Sequence, residues 1–128
     1  MHNYKSRNIL ESNRLMKVNQ LLQQELSEIF RKEAARQGQG ILISVTEVRT
    51  TPDLSIAKCY LSIFPQSFRK PLLQGFKEYK GFYRKQLGER VGKEMRIVPD
   101  LLFFEDNTLD QVEKIDKELR NEGENPLL

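Results

Sequence analysis

The stretch Ile56-Ala57-Lys58-Cys59-Tyr60-Leu61-Ser62-Ile63-Phe64 decides the fold. Ala57, Cys59, Leu61 and Ile63 recur at every second position, with Lys58, Tyr60 and Ser62 between them. A period of two gives a strand with one buried face and one solvated face. Before it, residues 41–51 read Ile-Leu-Ile-Ser-Val-Thr-Glu-Val-Arg-Thr-Thr, a β-branched run that predicts a second strand. Its apolar alternation slips between Val45 and Val48, a spacing of three. A β-bulge near Thr46–Glu47 absorbs that slip. Pro52–Asp53 supplies a turn, so the two runs form an antiparallel hairpin, and Pro65 closes it.

Helical periods flank the hairpin. Across residues 13–36, Leu15, Val18, Leu22, Leu26 and Ile29 recur at steps of three and four, and Leu21 and Phe30 widen the stripe. Ser12 or Asn13 is expected to cap this helix, and Gly38 and Gly40 to end it. Residues 67–93 are helical in two sets. Leu72, Leu73, Phe76 and Tyr79 form one face, and Phe82, Leu87 and Val91 another, with a kink expected at Gly81. Residues 95–104 predict a third strand in which Pro99 belongs at an edge, a bulge or the strand start. Thr108 with Gln111 fits a capping box, and Leu109, Val112, Ile115 and Leu119 give a last short helix.

The order is α-β-β-α-kink-α-β with an extra C-terminal helix. It predicts an α+β two-layer domain, with a three-stranded sheet and helices on one face. The third strand follows a long helical crossover, so it can run parallel to one of the other two. The expected division is a flexible basic N-terminus at 1–12, the domain at 13–107, and an acidic C-terminal helix and tail at 108–128.

Composition narrows the function. The chain has 128 residues, 38% of them hydrophobic, which suits one domain with a modest core. No apolar run approaches the roughly 20 residues that span a bilayer, and Met1 to Leu10 lacks the apolar core of a signal peptide. One cysteine makes no internal disulfide, so a cytoplasmic location is expected. One cysteine and one histidine also argue against structural zinc.

The formal net charge of +3 hides an uneven layout. Residues 67–96 hold nine basic side chains against three acidic, and residues 105–128 eight acidic against three basic. A basic segment within a folded unit suits a phosphate-bearing partner, although a solvated helix face reads the same way. Lys77, Lys80, Arg84, Lys85, Arg90, Lys93 and Arg96 cluster around the expected kink at Gly81, and Arg14 and Lys17 add charge near the first helix start. Lys77, Lys80 and Arg84 fall on one helical face if the kink is small. Phe68, Phe76, Tyr79, Phe82 and Tyr83 interleave with these cations and could stack on unpaired bases. Phe76 and Phe82 are expected in the core, which leaves Tyr83 as the freer ring.

Nothing in the chain reads as a catalytic constellation. His2 is terminal, and Cys59 alternates with apolar residues as a small buried side chain. Asp53 suits a turn, and Glu105 and Asp106 suit a helix cap. No cofactor motif is present.

Four segments occur in order. They are Lys17-Val18 with Gln20-Leu21-Leu22-Gln23-Gln24-Glu25-Leu26-Ser27-Glu28-Ile29-Phe30, then Val45-Thr46-Glu47-Val48 with Asp53-Leu54-Ser55-Ile56-Ala57-Lys58-Cys59-Tyr60-Leu61-Ser62. The others are Gly81-Phe82-Tyr83-Arg84, and Arg96-Ile97-Val98-Pro99-Asp100-Leu101-Leu102-Phe103-Phe104 with Asp106. Together, across residues 14 to 109, they resemble the bacterial ribosome-binding factor A family. The resemblance implies a type II KH-like fold. It also implies a non-enzymatic factor that binds the small (30S) ribosomal subunit and its 16S rRNA during late maturation and rRNA processing. Assembly GTPases taking part in its release, and cold adaptation, are further implications. KH domains usually clamp RNA at a Gly-x-x-Gly loop between two helices. The family carries an Ala-x-Gly interruption there, and this chain has Tyr79-Lys80-Gly81.

Two rival readings come from other classes. One is a metal-dependent nuclease using Asp53, Glu105 and Asp106, which would need them in one cleft. The other is an RNA-binding or interaction module whose first helix pairs with a partner. That helix's stripe is no wider than its own sheet requires, so a monomer is expected. The acidic tail either keeps the protein soluble, which is the preferred reading, or folds back on the basic surface.

Overall fold

The computed structural model describes residues 2–106, with side chains described from residue 13 onward. Its elements are α1 (His2–Gln37), β1 (Leu42–Thr50), β2 (Ile56–Phe64), a single 3-10 turn (Gln66–Phe68), α2 (Arg69–Glu78), α3 (Lys80–Val91) and β3 (Asp100–Glu105). The sheet order is β1-β2-β3. β1 and β2 are antiparallel with the register shift between Val45 and Glu47, where the sequence placed the bulge. β3 lies parallel to β2, from Ile56 opposite Asp100 to Leu61 opposite Glu105.

The core lies between the sheet and the three helices. Leu22, Leu26, Ile29, Phe30 and Ala34 of α1 meet Ile43, Val45 and Val48 of β1 and Ala57, Cys59, Leu61 and Ile63 of β2. Phe30 is fully buried at the centre of an aromatic group. Its ring lies 4.9 Å from Phe76, 5.1 Å from Tyr83 and 5.6 Å from Phe103. Rings at such spacings contribute roughly 0.5–1.5 kcal/mol per pair beyond their burial. The bulge frees carbonyls from the ladder, and Gln23 of α1 satisfies them, donating Nε2 to Val45 O at 3.1 Å and Thr46 O at 3.2 Å. Asn19 Oδ1 accepts from Thr50 N at 2.9 Å, so α1 grips β1 at two levels.

Four sequence expectations need correction. First, α1 is continuous from His2, and neither Ser12 nor Asn13 starts it. No glycine or proline occurs in residues 1–37, so nothing stops helical propagation where the apolar stripe begins. Second, the break falls at Tyr79 rather than Gly81. Tyr79 leaves helical geometry at φ −104° and ψ 28°. It closes α2 by donating N–H to Gly75 O, and its own carbonyl accepts from Phe82 N at 3.0 Å. Gly81 lies in the first turn of α3, where glycine is tolerated. Third, restarting the helix resets its phase. Tyr83, Leu87 and Val91 face the core, and Phe82 is turned out, 46% exposed. The expected roles of Phe82 and Tyr83 are therefore exchanged. Fourth, β3 begins at Asp100. Pro99 has no N–H to give the ladder, and the pairing opens with Asp100 N donating to Ser55 O at 2.9 Å. The expected C-terminal helix at 108–119 lies outside the described residues.

Candidate nucleic-acid interface

The break between α2 and α3 and the loop from Val91 to Asp100 gather most of the candidate residues. Gly81, Arg84, Lys85, Arg96, Ile97 and Val98 line one shallow cavity of about 440 Å³. Lys77 and Lys80 line a neighbouring one of about 330 Å³ against Leu101 to Phe104 of β3. The break thus divides the expected row of Lys77, Lys80 and Arg84 between two concavities. A third cavity, about 380 Å³, joins Arg96 to Arg14 across Val18, Leu54 and Met95. Lys17 is exposed on α1, and Lys93 is exposed just beyond α3.

These cations have different jobs. Arg84 donates Nε at 3.1 Å and Nη2 at 2.8 Å to Val98 O, and sits 3.3 Å from an Asp100 carboxylate oxygen. It holds the loop ahead of β3 against α3 and thereby positions Arg96. Arg90 is half-buried and pairs with Glu25 of α1 at 3.1 Å. Both guanidinium groups serve the fold. Lys80, Lys85 and Arg96 are exposed and make no ion pair among the described residues. Their charge is available to a partner.

The exposed rings at the break are Tyr79 at 65% and Phe82 at 46%, whereas Phe68, 41% exposed, lies at the opposite end of α2. Tyr83 is buried, and burial followed by the nearby Glu33 charge pushes its hydroxyl up to about 12. It offers no stacking surface. Tyr79 and Phe82 take that place, which becomes legible only once the phase reset at Tyr79 is known.

The acidic candidates stand apart. Asp53 Oδ1 accepts from Thr51 Oγ1 and from the N–H and hydroxyl of Ser55, which hold its pKa below the usual value. It fixes a turn in which Leu54 takes φ 61°. Glu105 pairs with Arg69 at 3.2 Å, and Asp106 accepts from Thr46 Oγ1. Among the described residues no three His, Cys, Asp or Glu side chains converge as metal ligands. Burial pushes the Cys59 thiol up to about 12, which disfavours its nucleophilic thiolate. No described helix is long and apolar enough to cross a membrane.

Fold and site together define a KH-like α+β domain whose basic surface surrounds a helix break. The fold is shared with the crystal structure of ribosome-binding factor A from Thermus thermophilus. That match has TM-score 0.58 and 23% identity, covering 71% of this chain and 94% of that one. A homology model of the Thermus thermophilus factor, fitted into a cryo-EM map of its 30S complex, matches at TM-score 0.54 and 24% identity, covering 68% and 89%. The chain belongs to the ribosome-binding factor A family, whose model matches residues 14–119. The factor from Flavobacterium johnsoniae is 41% identical over 119 residues, covering 92% of this chain and 91% of that one. The factor from Cytophaga hutchinsonii is 40% identical over 107 residues, covering 84% and 80%.

Proposed function

We infer that the protein is a non-catalytic assembly factor that binds the 30S ribosomal subunit through its 16S rRNA during late maturation and rRNA processing. The observation that carries this reading is the group Lys80, Lys85 and Arg96, exposed beside the helix break and not engaged by the fold. Family membership supplies the ribosomal partner. Ammonium and guanidinium groups neutralise phosphates and release their counterions, so affinity falls steeply with salt. Tyr79 and Phe82 offer ring faces to unpaired bases, while the cations fix position on the backbone. The binding unit is the 13–107 domain, acting as a cytoplasmic monomer.

Co-sedimentation tests this. The protein is expected to pellet with immature small subunits at low salt and to be released from mature ones. Changing Lys80, Lys85 and Arg96 together to Glu is expected to abolish pelleting without lowering the melting temperature. Pelleting that survives this change overturns the assignment. Incubation of precursor rRNA with the protein and Mg²⁺ is expected to leave the RNA intact, and cleavage would favour the nuclease reading.

A further inference from the structure

The loop ahead of β3 borders a space that the helix break does not use. Arg96 and Ile97 line the shallow cavity at Gly81, and they also line the cavity of about 380 Å³ that reaches Arg14 of α1. That volume falls in the range, about 300–1,000 Å³, of sites that hold small ligands. Met95, which is buried, and Val18, which packs on the core, give it an apolar floor. Ile97, 69% exposed, and Leu54, half-buried outside the core, stand at its sides. Leu54 also lines a second cavity, of about 460 Å³, with Arg14, Leu15 and Pro52. Its backbone stands at φ 61°, a conformation that a bulky residue adopts only under constraint. Leu54 N donates to Thr51 O at 2.8 Å, and Asp53 Oδ1 accepts from Thr51 Oγ1 and Ser55 Oγ, so the turn imposes that conformation. The turn thus props an apolar side chain between two cavities instead of burying it.

The charged groups at this cavity differ in what they are engaged with. Asp53 is held by the turn. The carboxylate of Glu94 is exposed and takes no hydrogen bond or ion pair among the described residues. Arg14 and Arg96, from two different elements, are exposed and likewise make no ion pair among the described residues. Apolar surface, an unengaged carboxylate and two guanidinium groups match the parts of one nucleotide. Aliphatic side chains take the faces of a base lifted out of its stack, and arginines take the flanking phosphates. An ionised carboxylate only accepts, so it selects a base whose Watson–Crick edge carries adjacent donors. Guanine has them, in N1–H and the N2 amine. Adenine, cytosine and uracil each set an acceptor beside the donor, which repels a carboxylate oxygen. Position agrees as well. Arg96 belongs to both concavities, so a strand whose phosphates lie on Lys85 at the break passes Arg96 into the cavity.

We propose that the cavity between α1, the turn at Pro52–Ser55 and the loop ahead of β3 is a pocket for an unpaired guanine nucleotide of RNA. The base lies on Leu54, Met95 and Ile97, its Watson–Crick edge meets Glu94, and its phosphates meet Arg14 and Arg96. This rests on the RNA-binding reading above and adds base selectivity to it, which contacts to the phosphate backbone do not supply.

Two short single-stranded RNAs, uridine tracts that differ only in one central guanine or adenine, test it against the full chain at low salt. The guanine RNA is expected to bind roughly tenfold more tightly. Glu94→Gln is expected to remove that preference and leave the adenine RNA unaffected, because an amide has a single acceptor oxygen. Leu54→Gly keeps the fold, since glycine adopts φ 61° without strain, and is expected to weaken the guanine RNA alone, several-fold. Lys80→Gln with Lys85→Gln is expected to weaken both RNAs alike and to keep their ratio. Equal affinities of the unaltered protein for the two RNAs overturn the proposal and leave the RNA-binding reading standing. Binding to neither RNA nor small-subunit rRNA overturns that reading and the proposal with it. A guanine preference that survives Glu94→Gln overturns the assignment to this cavity. Weaker pelleting of Leu54→Gly with small subunits, at unchanged affinity for both RNAs, overturns it in favour of a protein component of the subunit as the occupant.

Discussion

The interior beneath α1 and the surface at the helix break are built partly from the same helix, α3, yet they use its residues differently. Toward the interior, Tyr83, Leu87 and Val91 pack on α1 and the sheet. Toward the break, Lys80 and Lys85 extend into solvent. Between these extremes, Arg84 and Arg90 look like surface cations in the sequence but hold the loop ahead of β3 and the α1 contact. Charge in a sequence locates a surface, and geometry separates the cations that build it from those left for a partner.

Substitutions can break that division. The largest effect belongs to the interior. Phe30→Ala empties the centre of the aromatic group and is expected to cost about 3–5 kcal/mol by denaturant unfolding. Any folded fraction should still bind small subunits normally. Next comes Lys80→Glu with Lys85→Glu and Arg96→Glu. Its affinity for small subunits is expected to fall at least roughly tenfold at low salt, with the melting temperature unchanged. Arg84→Ala should move both readouts. Losing the hydrogen bonds to Val98 O is expected to cost about 1 kcal/mol of stability and to weaken binding modestly by loosening Arg96. Arg84→Ala binding as weakly as the triple variant would mean that Arg84 contacts RNA directly. Smallest is Arg90→Ala, where a half-buried pair with Glu25 contributes about 0.5 kcal/mol, and binding should not change.

Much of the fold was legible. The alternation through Ile56–Phe64 and the slip between Val45 and Val48 encode hairpin and bulge directly, because burial on one sheet face imposes a period of two. The phase of α3 was not legible. Gly81 is the residue most able to interrupt a helix, but Tyr79 is the one that leaves helical geometry. Phe82 and Tyr83 therefore exchanged places, while Leu87 and Val91 kept the core positions read for them. At the site, the basic cluster was visible as composition. The partners of Arg84 and Arg90 were not, because Val98 and Glu25 are distant in sequence and nothing local marks them.

The central claim is that exposed cations at the helix break carry RNA binding. Its most direct measurement is the salt dependence of affinity for small-subunit rRNA, comparing the protein with a Lys80→Gln, Lys85→Gln and Arg96→Gln variant. Binding through these groups predicts that the slope of log affinity against log salt flattens by about two in the variant. Parallel slopes would contradict it.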